Sequence, residues 1–255
     1  MENSSNITSK PIIQLLKKIA IPASTGSIFQ TLFNIVDTFF AGKISSDALA
    51  ALAKSFPLYF IIISAGIGIV AGCNSLISNS LGQRNRFAAL IYSHHTFIYS
   101  ILLSIIITTL GVFFSYDILK LMGSSSESII LAKEYTDIIF YGTVFFLILT
   151  SLNAILYSQG DTKTYRNVLI VGLFANILLN PIFIFGFLFI PAFGIAGLAF
   201  STILIQFLAC IYLYYKVNQT ILKINFRTES FLIRKNFFLN IFNQCMPITF
   251  ALFLV

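Results

Sequence analysis

YTDIIFYGTVFFLILTSLNAILYS, residues Tyr135–Ser158, contains a single charged side chain, Asp137, in 24 positions. As an α-helix such a run rises about 36 Å, enough to cross a hydrocarbon core of roughly 30 Å. A membrane β-strand needs only about ten alternating residues, so a run this long and unbroken reads as helix. Runs of the same kind lie on both sides of it: about Ile12 to Phe40, Ser55 to Leu81, Tyr92 to Ser115, Tyr165 to Phe189 and Phe193 to Tyr215. A seventh opens near Phe237. The expected fold is therefore an all-α polytopic membrane protein. Residues 1–215 form a six-helix transmembrane lobe, 216–236 a linker, and 237–255 the start of a seventh helix and of a second lobe. Composition agrees: the 255 residues are 57% hydrophobic and 10% charged, with a mean hydropathy of +0.90, whereas soluble domains carry about 25% charged residues. The first run is not followed by a small-residue cleavage site and polar sequence, so it reads as a retained helix and not a signal peptide.

The net charge of +7 raises the question of nucleic acid, and the distribution of the basic residues answers it. With loops numbered alternately, one side holds Lys10, Lys17, Lys18, Arg84, Arg86, Lys163, Arg166, Lys216, Lys223, Arg227, Arg234 and Lys235, and the other only Lys43, Lys54, Lys120 and Lys133. Basic residues in short loops stay cytoplasmic. The N-terminus and linker are thus expected in the cytoplasm of a multi-pass protein of a bacterial inner membrane. The partner implied is the lipid bilayer, and nucleic acid is excluded. The linker mixes bases with Ile221, Leu222, Ile224, Phe226, Phe231, Leu232 and Ile233, a composition expected to lie on the anionic inner surface. Ala20-Ile21-Pro22 behind Lys17-Lys18 has a counterpart in Cys245-Met246-Pro247 behind Arg234-Lys235. The hint of a repeat after six crossings points to two lobes of like orientation, with a C-terminal lobe required for the complete protein.

Asp37 is the one acidic residue deep in a span. A carboxylate there costs about 2.5–3.5 kcal/mol, so it should face the bundle interior or a wet cavity. Gln30, Asn34 and Asp37 share one helical stripe. The residues alone leave two readings: an ion or proton site, or a carboxylate capping near the outer interface. In the fifth span Asn176 and Asn180 sit one turn apart, and Pro181 removes a helical hydrogen bond beside them. Their oxygens could take Na⁺ or order a water chain, or the amides could simply join helices at a kink. Asn153, Tyr135 with Tyr141, and the pair Thr202 and Gln206 add further lining. Gly66, Gly68 and Gly72, and Gly194 and Gly197, are expected to let helices approach closely.

Other chemistry finds no support. His94 and His95 are adjacent, point apart on a helix and are expected at the membrane interface. Cys73, Cys210 and Cys245 lie in apolar stretches with no metal-ligand spacing and read as small apolar residues. Neither a structural metal, an ATP loop nor a hydrolytic set is present, so an enzyme is not expected and no cofactor is implied.

Several segments in this order resemble the multidrug and toxic compound extrusion family. They are Pro22 with Ile28-Phe29-Gln30 and Asn34-Ile35-Val36-Asp37-Thr38-Phe39-Phe40-Ala41-Gly42; Gly72 with Leu81-Gly82-Gln83 and Arg86; Asn153-Ala154 with Gln159-Gly160-Asp161-Thr162-Lys163; Asn176 to Pro181 with Gly186; and Gly194 to Thr202. The resemblance covers Pro11 to Tyr215. It implies a twelve-helix, two-lobe antiporter exporting organic cations, drugs or other amphipathic compounds in exchange for H⁺ or Na⁺; the expected mechanism is alternating access driven by the ion gradient, with binding at Asp37 bending or repacking the first helix at Pro22, and Pro181 as a second bending point. It also implies that Asp37 is the coupling acid, with Asn153, Asn176, Asn180, Tyr135 and Thr202 around it. Asn180 stands where some members carry a second aspartate. A lipid-linked oligosaccharide flippase of the same broad superfamily is the alternative, and a channel or structural subunit is the alternative from another class.

Overall fold

A computed structural model describes residues 12–123, 126–224 and 234–253. These form seven helices: α1 (Ile12–Ile44), α2 (Ser46–Gly82), α3 (Arg86–Leu121), α4 (Ser126–Ser158), α5 (Lys163–Phe185), α6 (Ile195–Asn218) and α7 (Lys235–Phe253). Six of them, α1 to α6, contain stretches long and apolar enough to cross a membrane. The all-α lobe expected from the sequence is present, and the chain is a multi-pass membrane protein.

Short polar punctuation sets the helix ends. Ser45 alone separates α1 from α2, and its hydroxyl accepts the Ala48 N–H at 3.0 Å; Asn85 does the same for Ala88 before α3. Asp161 accepts from the backbone N–H of Lys163 and Thr164, satisfying the first turn of α5. Most helices outrun the apolar runs that revealed them. α4 begins nine residues before Tyr135, so Lys133 and Asp137 pair one turn apart on it, where the sequence alone puts them near a loop. The fifth span, in contrast, ends early. Gly186 adopts φ +82°, and Phe187 and Ile190 bond to each other in a tight turn that returns the chain to α6.

α4 is the axis of the bundle, packed against α2, α3 and α6, while α1 lies chiefly on α5. α7 docks on α2 and α3, where glycines make room: a Cβ at Gly72 would stand 2.7 Å from Cys245 Sγ and 3.0 Å from Cys245 N. Cys73 and Cys245 meet across this seam with sulfurs 3.6 Å apart, a pairing that their separate apolar contexts did not reveal.

Two expectations are corrected here. Leu222 and Ile224 do not lie on a surface. Both are buried in the main core, with the Ile224 N–H held by Asn218 Oδ1 and the Leu222 N–H by Thr220 Oγ1. Phe226, Phe231, Leu232 and Ile233 fall outside the described residues. The histidines are not interfacial either, since both are fully buried. His95 Nδ1 donates to Ile91 O, and its Nε2 accepts the backbone N–H of Arg234 at 2.9 Å, holding the residue that precedes α7.

Candidate functional site

Asp37 is buried on the face of α1 that meets α5 and α6. One turn earlier, Phe33 packs with Leu173 of α5 and Ile205 of α6, closing an apolar cluster beside it. Asn176 and Asn180, one turn apart on α5 and both fully buried, aim at the same carboxylate oxygen. Asn176 Nδ2 donates to Asp37 Oδ1 at 2.8 Å and Asn180 Nδ2 donates to it at 2.9 Å. Asn180 Nδ2 also reaches Asn176 Oδ1 at 3.1 Å. Behind them the Ser201 hydroxyl of α6 contacts Asn180 Oδ1. The carboxylate thus lies at the centre of a three-helix polar network, with no ion pair to it among the described residues. Tyr135, buried, and Tyr59, half-buried, stand within electrostatic reach of it.

The other expected residues divide. Gln30 and Asn34 share the stripe of Asp37 but line a separate cavity of about 530 Å³ between α1, α2, α4 and α5. Asn153 and Gln206 line it too, and Asn153 Oδ1 and Gln206 Oε1 are buried without a hydrogen-bond partner among the described residues. Asn153 is therefore placed with the cavity and forms no hydrogen bond to the Asp37 network. The Thr202 hydroxyl turns back to Leu198 O at 3.1 Å and does not join the network. Pro22 is buried on the cavity wall, and Pro181 lies inside α5 immediately after Asn180. Tyr141 of α4 is exposed.

Three participants were missed. Tyr59 lines the cavity from α2, and Arg166, assigned from the sequence to a loop, lines it from the first turn of α5. Ser201 sits beside Thr202 in the quoted motif, and only the docking of α6 on α5 decides which of the two hydroxyls meets Asn180. No group of three His, Cys, Asp or Glu able to hold a metal occurs among the described residues.

The arrangement is one lobe of a two-lobe membrane transporter fold. It superposes with a TM-score of 0.89 on an outward-facing multidrug resistance MATE family transporter of the MOP superfamily, at 24% identity over 99% of this chain and 55% of that one. The profile of the family described as MatE matches residues 22–182, and the chain belongs to that family. Among curated proteins it is 32% identical over 200 residues to the probable multidrug resistance protein YoeA of Bacillus subtilis, covering 77% of this chain and 43% of that protein. It is 28% identical over 203 residues to an FAD transporter of Shewanella oneidensis, covering 80% and 45%. The chain spans about half the length of the curated relatives it matches.

Proposed function

We propose that this chain is the first lobe of a secondary active antiporter that exports amphipathic organic compounds, cations among them, in exchange for H⁺ or Na⁺. The observation that carries the reading is Asp37. It is a carboxylate buried within a span without a countercharge among the described residues and held by hydrogen bonds across α1, α5 and α6. Such a group is costly in a membrane and marks an ion pathway. Its charge changes when a proton or cation arrives, and the hydrogen bonds joining α1 to α5 change with it. The cavity beside the network supplies the substrate surface, with Gln30, Asn34, Asn153 and Gln206 on its wall. α1 carries both Asp37 and the cavity-lining Pro22. Binding at the acid therefore reshapes the cavity through one helix, bending at Pro22, which lacks a backbone N–H. A second lobe completes the cavity, and the uneven distribution of basic residues between alternate loops supports a cytoplasmic N-terminus in a bacterial inner membrane.

The test uses proteoliposomes carrying the protein with its second lobe. Efflux of a fluorescent organic cation is followed under separately imposed H⁺ and Na⁺ gradients. The expected result is gradient-driven efflux that falls to the protein-free level in Asp37→Asn; efflux unchanged by that substitution overturns the role of Asp37.

A second reading, an anionic amphipathic substrate, is favoured by Arg166, a basic residue lining the cavity whose guanidinium donates to the neighbouring Asn167 Oδ1. The Shewanella relative is named for an anionic cargo of this kind. Competition of the fluorescent cation by a flavin dinucleotide, lost in Arg166→Gln, would decide for it.

A further inference from the structure

From Pro181 to Phe200 the chain carries no polar side chain, although within those residues it leaves α5, turns and enters α6. No charge occurs between Arg166 and Lys216. α5 and α6 are also the shortest of the first six helices, 23 and 24 residues against 33 to 37 for the others. Their rise of about 34–36 Å barely exceeds a hydrocarbon core of roughly 30 Å. The turn joining them therefore stays near the membrane boundary, where the longer helices emerge from it.

The backbone of the turn suits that depth. Phe187 and Ile190 exchange N–H···O bonds of 3.0 Å, and the N–H groups of Phe193 and Gly194 return to Phe183 O and Ile184 O at the end of α5. Pro191 has no N–H to satisfy. Irregular backbone that bonds to itself tolerates lipid where open backbone does not. Leu188 stands at φ +53°, a conformation glycine adopts more readily, and Leu188 and Phe189 are 83% and 98% exposed. Large apolar side chains held out on a turn gain nothing in water and a favourable contact in lipid.

A groove of about 500 Å³ runs beside this tip between α4, α5 and α6. Two edge-to-face phenylalanine pairs line it, Phe193 with Phe200 and Phe145 with Phe207, at 5.5 and 5.2 Å between ring centres. Between them Ile203 lies against Gly142 of α4. From Ile195 to Phe207 α6 rises about 18 Å, close to the depth of one leaflet, half of the roughly 30 Å core. α7, from which the chain continues, docks instead on α2 and α3.

We infer that the α5–α6 tip and this groove form one lipid-binding surface: the tip is seated in the leaflet opposite the N-terminus, and the groove takes an acyl chain of a phospholipid from that leaflet. The lining side chains offer no polar atom, so a charged or hydrogen-bonding molecule finds no partner there, whereas methylene groups pack on aromatic and aliphatic walls.

The test uses vesicles holding the protein with its second lobe. A nitroxide is attached at Phe189→Cys or, as the water-facing control on the same side, at Lys120→Cys, with the parent protein treated alike as background; Cys73, Cys210 and Cys245 are buried. Relaxation of the label by O₂, which concentrates in lipid, is compared with relaxation by a water-soluble nickel chelate. The O₂-to-nickel ratio at Phe189→Cys is expected to exceed that at Lys120→Cys by at least about tenfold, since the chelate loses its hydration on entering lipid. Dominant relaxation by nickel would put the tip in water, and relaxation by neither would mean that protein covers it, a second copy or the second lobe; either result overturns the inference. In the other arm a phosphatidylethanolamine with a diazirine at the end of one chain is photolysed and its adducts are mapped by peptide mass spectrometry. Adducts on residues 195–207 are expected to fall about fivefold in Leu204→Trp, whose indole fills the groove, the ratio for one or two displaced methylene groups. Adducts at Phe113, exposed on α3, should not change, and Leu204→Phe stands in where the tryptophan protein does not accumulate. Labelling of 195–207 that is no denser than at Phe113, or that ignores the filled groove, is ordinary lipid contact and overturns the inference.

Discussion

α1 and α4 are both 33 residues long and both cross the membrane, yet they are held in different ways. In its most apolar stretch α4 has 67% of its residues buried and α1 only 17%. α4 is fixed by packing on three sides, with Leu147, Leu152 and Ile155 sealed among α2, α3 and α6. Lipid tails are as apolar as leucine, so such a helix gains from close fit more than from leaving water. α1 leaves Ile28, Ile35 and Phe39 exposed. It is attached by the small Phe33 cluster, by Ala41 at its end in the main core, and by Asp37, whose hydrogen bonds depend on charge. On the proposed coupling role of Asp37, the scaffold helix is insensitive to ion occupancy, and the attached helix is the one an ion would release.

Three substitutions test that contrast, and a fourth, at Gly72, tests the α2–α7 seam. Leu147→Ala should cost about 2 kcal/mol, mainly the cavity and lost contacts, seen as a lowered unfolding temperature in detergent; an unchanged value would show that α4 is not the scaffold. Asn176→Ala should loosen α1 from α5 by about 1–3 kcal/mol, the range for a hydrogen bond to a charged group. Hydrogen exchange would show this as faster exchange in α1 with α4 unchanged, and equal acceleration in both would break the distinction. Gly72→Ala should cost about 1–3 kcal/mol through overpacking, because its Cβ meets the backbone of Cys245. The sign would be a rise in maleimide reactivity of Cys245, and a silent Cys245 would mean the seam is looser than drawn. Ile35→Ala, on the open face of α1, should change stability by less than about 0.5 kcal/mol in the same melt.

A further experiment concerns the α2–α7 seam. With a protease site inserted between α6 and α7, mild oxidation should hold the two fragments together through Cys73 and Cys245 on a non-reducing gel. Separation of the fragments would show that these sulfurs do not meet in the membrane.

The sequence made the fold legible because each helix has to satisfy its own backbone in lipid, which leaves long apolar runs such as Tyr135–Ser158 with few other readings. Helix ends were less legible, since polar turns of helix beyond the bilayer, as at the start of α4, look like loop. Asp37, Asn176 and Asn180 could be found because polar groups are conspicuous in apolar runs. Their partners were harder to assign. Ser201 and Thr202 are equally polar neighbours, and only the rotation of α6 against α5 separates them. Asn153 was placed with the acid because all buried amides look alike in one dimension, although helix packing turns it to the cavity. The burial of Leu222 and Ile224 follows from side-chain bonds of Asn218 and Thr220 that no composition rule contains.

His95 carries a consequence of another kind. Ile91 O can only accept, so the imidazole proton sits on Nδ1 and the bare lone pair on Nε2 is taken by the Arg234 N–H. That lone pair is the one that would attack an alkylating or acylating reagent. While α7 is seated, the ring should therefore be chemically silent, and its reactivity becomes a built-in reporter of whether α7 is in place.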